Sequence, residues 1–192
     1  MKSSEVEILV VPGYEGSGPE HWQTKLAQKL SSARVIVQMD WSYGNLARAV
    51  QHVVDEVNAS AKPVVFVAHS AGCPLVAHSV HALREKGLLG KIAGAYLVCP
   101  PSAEAMRPLN GIDPDFVNFP RVALPFPSLI VGSSTDPFST VEVTAALVKD
   151  WGSDFSDAGP MGHINSDSGH GPWPEGIMRF AGFLSKLKMP SA

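Results

Sequence analysis

Short apolar runs and helical periodicities alternate along this chain. Residues 6–11 form an apolar run that breaks at Pro12-Gly13, and over residues 20–30 Trp22, Leu26 and Leu30 recur four apart, the spacing of one helix face. A second strand is predicted over 34–39. The clearest helix spans 45–57, where Leu46, Ala49, Val50, Val53, Val54 and Val57 recur at i+3 and i+4. Residues 63–69 are apolar and β-branched, and Leu75, Val76, Val80 and Leu83 form a helix face soon after them. Further strands are predicted over 92–99 and 128–132, with a weaker one over 153–157. Helices are predicted over 139–149 and 174–187, the last carrying Ile177, Phe180, Leu184 and Leu187 on its apolar face.

Strands that alternate with helices at this spacing cannot pair as hairpins. They must join a mainly parallel sheet through right-handed crossovers, with helices on both faces. The expectation is an α/β protein: a three-layer, doubly wound fold with about six strands and a ligand site beyond the strands' carboxyl ends. Residues 100–127 break this rhythm. Pro101, Pro108, Pro114, Pro120 and Pro125 interrupt that stretch, and Phe116 and Phe119 read as exposed aromatics within it.

The 192 residues suit one domain, 1–192, with a single sizeable core. Hydrophobic residues make up 45% of the chain and mean hydropathy is +0.07, values of a water-soluble globule. A formal charge of −3 and a pI near 6.1 give no footprint for nucleic acid or an anionic membrane. No apolar run reaches the length of a membrane span or a signal core, so a cytoplasmic location is expected. Cys73 and Cys99 are too few for a disulfide framework and lack metal-ligand spacing, and they read as buried hydrophobes. No metal and no cofactor is expected. The sequence carries no signal for oligomeric state.

The candidate chemistry begins where the run 63–69 meets Ser70. A serine in a sharp strand-to-helix turn adopts a strained backbone that lifts its Oγ clear, and its neighbours two residues away on either side must be small. Ala68 and Gly72 meet that demand, with Ala68 departing by one methyl from the usual Gly-x-Ser-x-Gly. A serine needs a base and an acid to become a nucleophile. Of seven histidines, His163 lies in the turn-rich stretch Gly162-His163-Ile164-Asn165 after the last predicted strand, where it would overhang the sheet end. His170 is its rival on a nearby loop. His69 is expected to point to the opposite side of the turn, and His21, His52, His78 and His81 fall on or near helices. Asp136 follows the strand 128–132 and is the candidate acid, with Asp113, Asp154 and Asp157 as alternatives. The chain order Ser70, Asp136, His163 is that of the α/β-hydrolases. Ala71 and Tyr14 are the expected backbone donors to an oxyanion. Met106, Leu109, Ile112, Phe116 and Phe119 are candidates to line a shallow apolar acyl site.

Several separated motifs share one resemblance. They are Pro12-Gly13-Tyr14 with His21-Trp22-Gln23, His69-Ser70-Ala71-Gly72, Gly132-Ser133-Ser134-x-Asp136-Pro137-Phe138, Gly162-His163-Ile164-Asn165, and Ser168-Gly169-x-Gly171-x-Trp173-Pro174. The sequence resembles the small serine hydrolases of the retinoblastoma-binding-protein-9 / YdeN type, compact α/β-hydrolases without a large cap. The resemblance implies that Ser70, Asp136 and His163 are nucleophile, acid and base, and it puts His170 at a variable position. Leu97-x-Cys99-x-Pro101 lacks the glutamate of the Leu-x-Cys-x-Glu peptide that binds retinoblastoma-type pockets, which argues against such binding. The expected function is hydrolysis of a carboxylic ester or related acyl bond in a small-molecule substrate. Acyl transfer with the same residues, or a non-catalytic interaction module on this scaffold, are the alternatives.

Overall fold

A computed structural model describes residues 1–36 and 45–190. In chain order the main elements are β1 (Glu7–Val11), α1 (Trp22–Lys29), β2 (Ala33–Val35), α2 (Leu46–Ala59), β3 (Val64–His69), α3 (Gly72–Glu85) and β4 (Ile92–Val98), followed by α4 (Ala103–Met106), β5 (Ser128–Gly132), α5 (Val141–Trp151), β6 (Asp154–Asp157) and α6 (Pro174–Lys186). The six strands form one sheet in the order β2-β1-β3-β4-β5-β6, and every pair is parallel. The sequence predicts the second strand over 34–39. The observed β2 covers its first positions, and 37–39 lie outside the described residues.

Alternation along the strands divides the core in two. Leu9, Val11, Phe66, Ala68, Ala95, Leu97 and Ile130 face α2, α3 and α5, while Ile8, Val10, Val65, Val67, Tyr96 and Val98 face α1 and α6. Strands β3 and β4 are buried along their whole length, which explains why they read as unbroken apolar runs. Side chains set several helix limits. Asn45 and Thr140 accept N–H bonds from Arg48 and Val143 at the starts of α2 and α5, and Gly152 ends α5 in the left-handed conformation with φ 62°.

The stretch 100–127 departs from expectation. It holds the short helix α4 and a 3₁₀ turn at Pro114–Val117, and its aromatics turn inward: Phe116 is 1% exposed and Phe119 7%. They pack edge to face with one another and lie against His78 of α3, whose Nε2 donates to the Phe116 carbonyl. Burying an aromatic ring contributes about 2 kcal/mol or more, so a proline-broken segment uses such rings as anchors.

Register brings the carboxyl ends level. Val11 pairs with Ala68, Ala68 with Leu97, Val98 with Val131, and Gly132 with Asp157. Between β1 and β3 the winding of the chain reverses, so the turns after these two strands flank a crevice. At its floor α3 approaches β1 closely: a Cβ on Gly72 would lie 2.3 Å from the Val11 carbonyl oxygen and 2.7 Å from that of Pro12. Both obstacles are main chain. Gly72→Ala should therefore destabilise the protein by about 1–3 kcal/mol, seen as a lower urea midpoint at unchanged m-value; an unchanged midpoint would show that the strand and helix are free to separate.

Candidate active site

Ser70 stands between β3 and α3 with φ 52°, a left-handed conformation that costs a non-glycine residue about 1–3 kcal/mol. Its N–H donates to the Val98 carbonyl and its own carbonyl accepts from Cys73, so the strained residue is held on both sides. Gly13, in the turn after β1, passes so near that a Cβ there would lie 2.8 Å from the Ser70 Cβ. The main chain of that turn thus runs directly past the hydroxyl.

Ser70, His163 and Asp136 come together. Ser70 Oγ lies 2.9 Å from His163 Nε2, and His163 Nδ1 lies 2.9 and 3.0 Å from the two Asp136 carboxylate oxygens. A carboxylate only accepts, so Nδ1 carries the proton; in the neutral ring Nε2 is then bare and accepts from the serine hydroxyl. The side chains of His163 and Asp136 are only 7% and 2% exposed, so this ion-pair geometry is dry. Asp136 is turned inward by its own loop, where Oδ1 also accepts the Phe138 N–H across Pro137.

The other acids and histidines serve elsewhere. Asp113 accepts N–H bonds from Leu46 and Asp115, and Asp157 from Gly159. Asp154 lies exposed at the start of the edge strand β6. His170 contacts Ser168 Oγ through Nδ1. His69 does not point away from the site. Its ring lies 4.8 Å from that of His163 and 4.8 Å from that of His21, and both His21 and His69 line the cleft. No local pattern reveals this, because three separate segments supply the three rings.

Two loops are laced together to hold Asp136 and His163. Ser133 Oγ accepts the Met161 N–H and Thr135 Oγ1 that of Gly162, both at 3.0 Å. His163 itself sits between Gly162, φ 60°, and Ile164, φ 49°, the latter a rare conformation for a β-branched residue. Cys99 follows β4 with φ 50° and completes the surroundings of Asp136. Among the described residues, Cys99, Asp136 and His163 are the one group whose metal-ligating atoms converge, within 4.8 Å. Burial and the Asp136 carboxylate push the Cys99 thiol well up, so it stays protonated there, and Nδ1 of His163 is already committed to Asp136. That chemistry suits a hydrogen-bonded cluster better than a cation.

Above Ser70 lies an open cleft of about 410 Å³. Pro101, Ala105, Met106, Leu109 and Phe138 give it an apolar side, and Glu15, Asn165, Ser166 and Asp167 a polar one. Tyr14 spans toward the apolar side, its hydroxyl donating to the Asn110 carbonyl at 2.8 Å. Phe116 and Phe119, expected in the acyl site, belong to the core instead, and Met106 and Leu109 line the cleft. Among the described residues that line it none is Lys or Arg. Ala71, fully buried, is the N-cap of α3, at the helix end where N–H groups lack intrahelical partners.

A family model described as serine hydrolase matches residues 8–182. A YdeN-like hydrolase from Pectobacterium atrosepticum is similar in structure with a TM-score of 0.80 and 29% identity, over 95% of this chain and 92% of that one. The ydeN gene product from B. subtilis gives 0.71 and 18%, over 94% and 99%. A hydrolase of the α/β superfamily from Xanthomonas campestris gives 0.66 and 18%, over 97% and 100%, a likeness of fold. No curated protein matches the chain in sequence.

The histidine cluster has a consequence for stability. Burial first, then charge on His163 and His170, pushes His21 from an ordinary 6.5 down to about 4. As pH falls below 6.5 the unfolded chain takes up this proton before the native one does. The native advantage is therefore complete above about 6.5 and shrinks by up to about 3 kcal/mol toward pH 4. His21 Nδ1 also caps α1 by accepting from Gln23, a role asparagine can fill. His21→Asn should thus flatten the fall of the urea midpoint between pH 6.5 and 4.5, and an unaltered slope would assign the acid sensitivity to other groups.

Proposed function

The chain belongs to the serine hydrolase family, and from that premise we propose that it cleaves a carboxylic ester or related acyl bond through an acyl-enzyme on Ser70, with His163 as base and Asp136 as orienting acid. The observation that carries this reading is the unbroken relay from Ser70 Oγ through His163 to Asp136, every contact between 2.9 and 3.0 Å, at the floor of an open cleft.

In the first half-reaction Nε2 of His163 takes the hydroxyl proton while Ser70 Oγ bonds to the substrate carbonyl carbon. The C=O π pair moves onto oxygen, where the N–H groups of Ala71 and Tyr14 receive the charge. Collapse of this intermediate expels the leaving group, which takes the proton from Nε2. Water then repeats the sequence against the acyl-serine and releases the acid. Asp136 keeps Nδ1–H pointed at itself, so that Nε2 faces the serine, and it stabilises the imidazolium in between. The polar side of the cleft suits an alcohol, thiol or amine leaving group, and the apolar side the acyl chain.

A fluorophosphonate probe should label the protein once, at Ser70, and Ser70→Ala should abolish labelling. Turnover on a panel of esters, thioesters and amides should fall roughly 10⁶-fold in Ser70→Ala and roughly 10⁴-fold in Asp136→Asn. His163→Ala should remove the acidic limb of the kcat/KM profile and His170→Ala should leave it in place. Labelling at another residue, or survival of that limb in His163→Ala, would refute the assignment.

Acyl preference follows from the depth of the cleft. Each methylene it receives adds roughly 0.8 kcal/mol, but α4 and the anchored stretch behind it offer a rim and no tunnel. For simple esters kcat/KM should peak at a short acyl group and then decline. A steady rise out to long fatty acyl chains would disprove the shallow site.

A further inference from the structure

We propose that the Trp22 indole and the His69 imidazole are positioning residues for the base, holding its loop by taking the main-chain carbonyls of His163 and Ile164. The proposal rests on the reading of His163 as base. His69 Nε2 meets the His163 carbonyl at 2.8 Å, and Trp22 Nε1 donates to the Ile164 carbonyl at 2.9 Å; both bonds are buried. Since a carbonyl only accepts, the His69 proton is fixed on Nε2.

These two carbonyls flank the most constrained point of the loop. Ile164 has φ 49° and Gly162, on the other side of His163, φ 60°. A β-branched residue keeps such a conformation only where its surroundings over-determine it. Here the N–H groups before the base are taken by Ser133 and Thr135 from the acid's loop, and the carbonyls at and after it by His69 and Trp22 from the nucleophile's strand and from α1. Four bonds from opposite sides thus hold the His163 backbone between Ser70 and Asp136.

The clamp also touches the base ring. The His69 and His163 rings lie 4.8 Å apart, and Trp22 stands edge-on to His69 at 6.1 Å and 89°. The polar and titratable groups around His163 are Asp136 from the β5 loop, Cys99 after β4, Ser70 and His69 at the end of β3, and His21 at the start of α1. This gives a role to the stretch His21-Trp22-Gln23, which lies far along the chain from the three reacting residues.

The test compares Trp22→Phe, His69→Leu and His69→Gln with the parent protein. Second-order labelling by a fluorophosphonate, and kcat and KM on a short-chain nitrophenyl ester, are measured on folded protein. Trp22→Phe and His69→Leu should each lower kcat and labelling about 10- to 100-fold, with KM changed less than about threefold, because a small misplacement of the base acts on the chemical step. The acidic limb of their kcat profile should move. His69→Gln, whose Nε2–H reaches the same carbonyl, should recover most of the loss and restore the limb.

Parental kcat and limb in both Trp22→Phe and His69→Leu would overturn the proposal, and so would equal losses in His69→Leu and His69→Gln, which would tie the effect to ring packing. Should Trp22→Phe fail to fold, the His69 pair decides. His163→Ala serves as the separate check: full turnover there would remove the base itself, whereas an inactive His163→Ala beside fully active clamp variants would overturn only the clamp.

Discussion

A parallel sheet runs out of hydrogen-bond partners where its strands end, and this molecule builds its site from the groups that make up the shortfall. A buried main-chain polar group must be paired. Gln23 Nε2 donates to the carbonyls of both Val11 and Val67, tying β1 to β3 beyond their ladder. Val98 accepts from the Ser70 N–H and the Cys73 thiol, Val131 from Cys99, and Gly132 from Ala158. Ser70, Cys99 and Ala158, fixed in this way, each lie just past a strand end. Because register brings the ends level, the fixed residues face one crevice.

Pairing at the strand ends is accompanied by local strain. Ser70, Cys99 and Ile164 all hold φ near 50°, and all three lie around the proposed nucleophile, acid and base. Left-handed backbone at such residues costs energy that the packed surroundings offset, and strain of this kind clusters where side chains must project in unusual directions. The burial that offsets it also sets the electrostatics: desolvation lowers His21 and His69, so two neutral rings stand beside His163. Beside these neutral rings, the Asp136 carboxylate adjoins His163 directly, 2.9 Å from its Nδ1.

The cleft follows from how the longest irregular segment is anchored. Phe116 and Phe119 fasten it to α3, the Trp151 indole donates to the Pro120 carbonyl, and Tyr14 reaches Asn110 from the opposite wall. What remains over Ser70 is an open cleft with apolar and polar sides and no Lys or Arg among the described residues lining it.

The sequence carries the alternating elements, the parallel sheet and the chain order of Ser70, Asp136 and His163 in local periodicity and in small residues around one hydroxyl. It also marked His21-Trp22-Gln23 as a motif without saying what the motif does. It took the packed chain to show that His69 faces His163, that Phe116 and Phe119 belong to the core, and that the Trp22 indole reaches Ile164, 142 positions away in the chain. The difference is one of range. Periodicity records which face of an element is buried, but the partner of a ring nitrogen or a strand-end carbonyl depends on strand order and register, which few local residues encode. In the proline-broken stretch no period exists at all, so aromatic rings that anchor a loop and rings that line a cleft look alike until the neighbouring helix is in place.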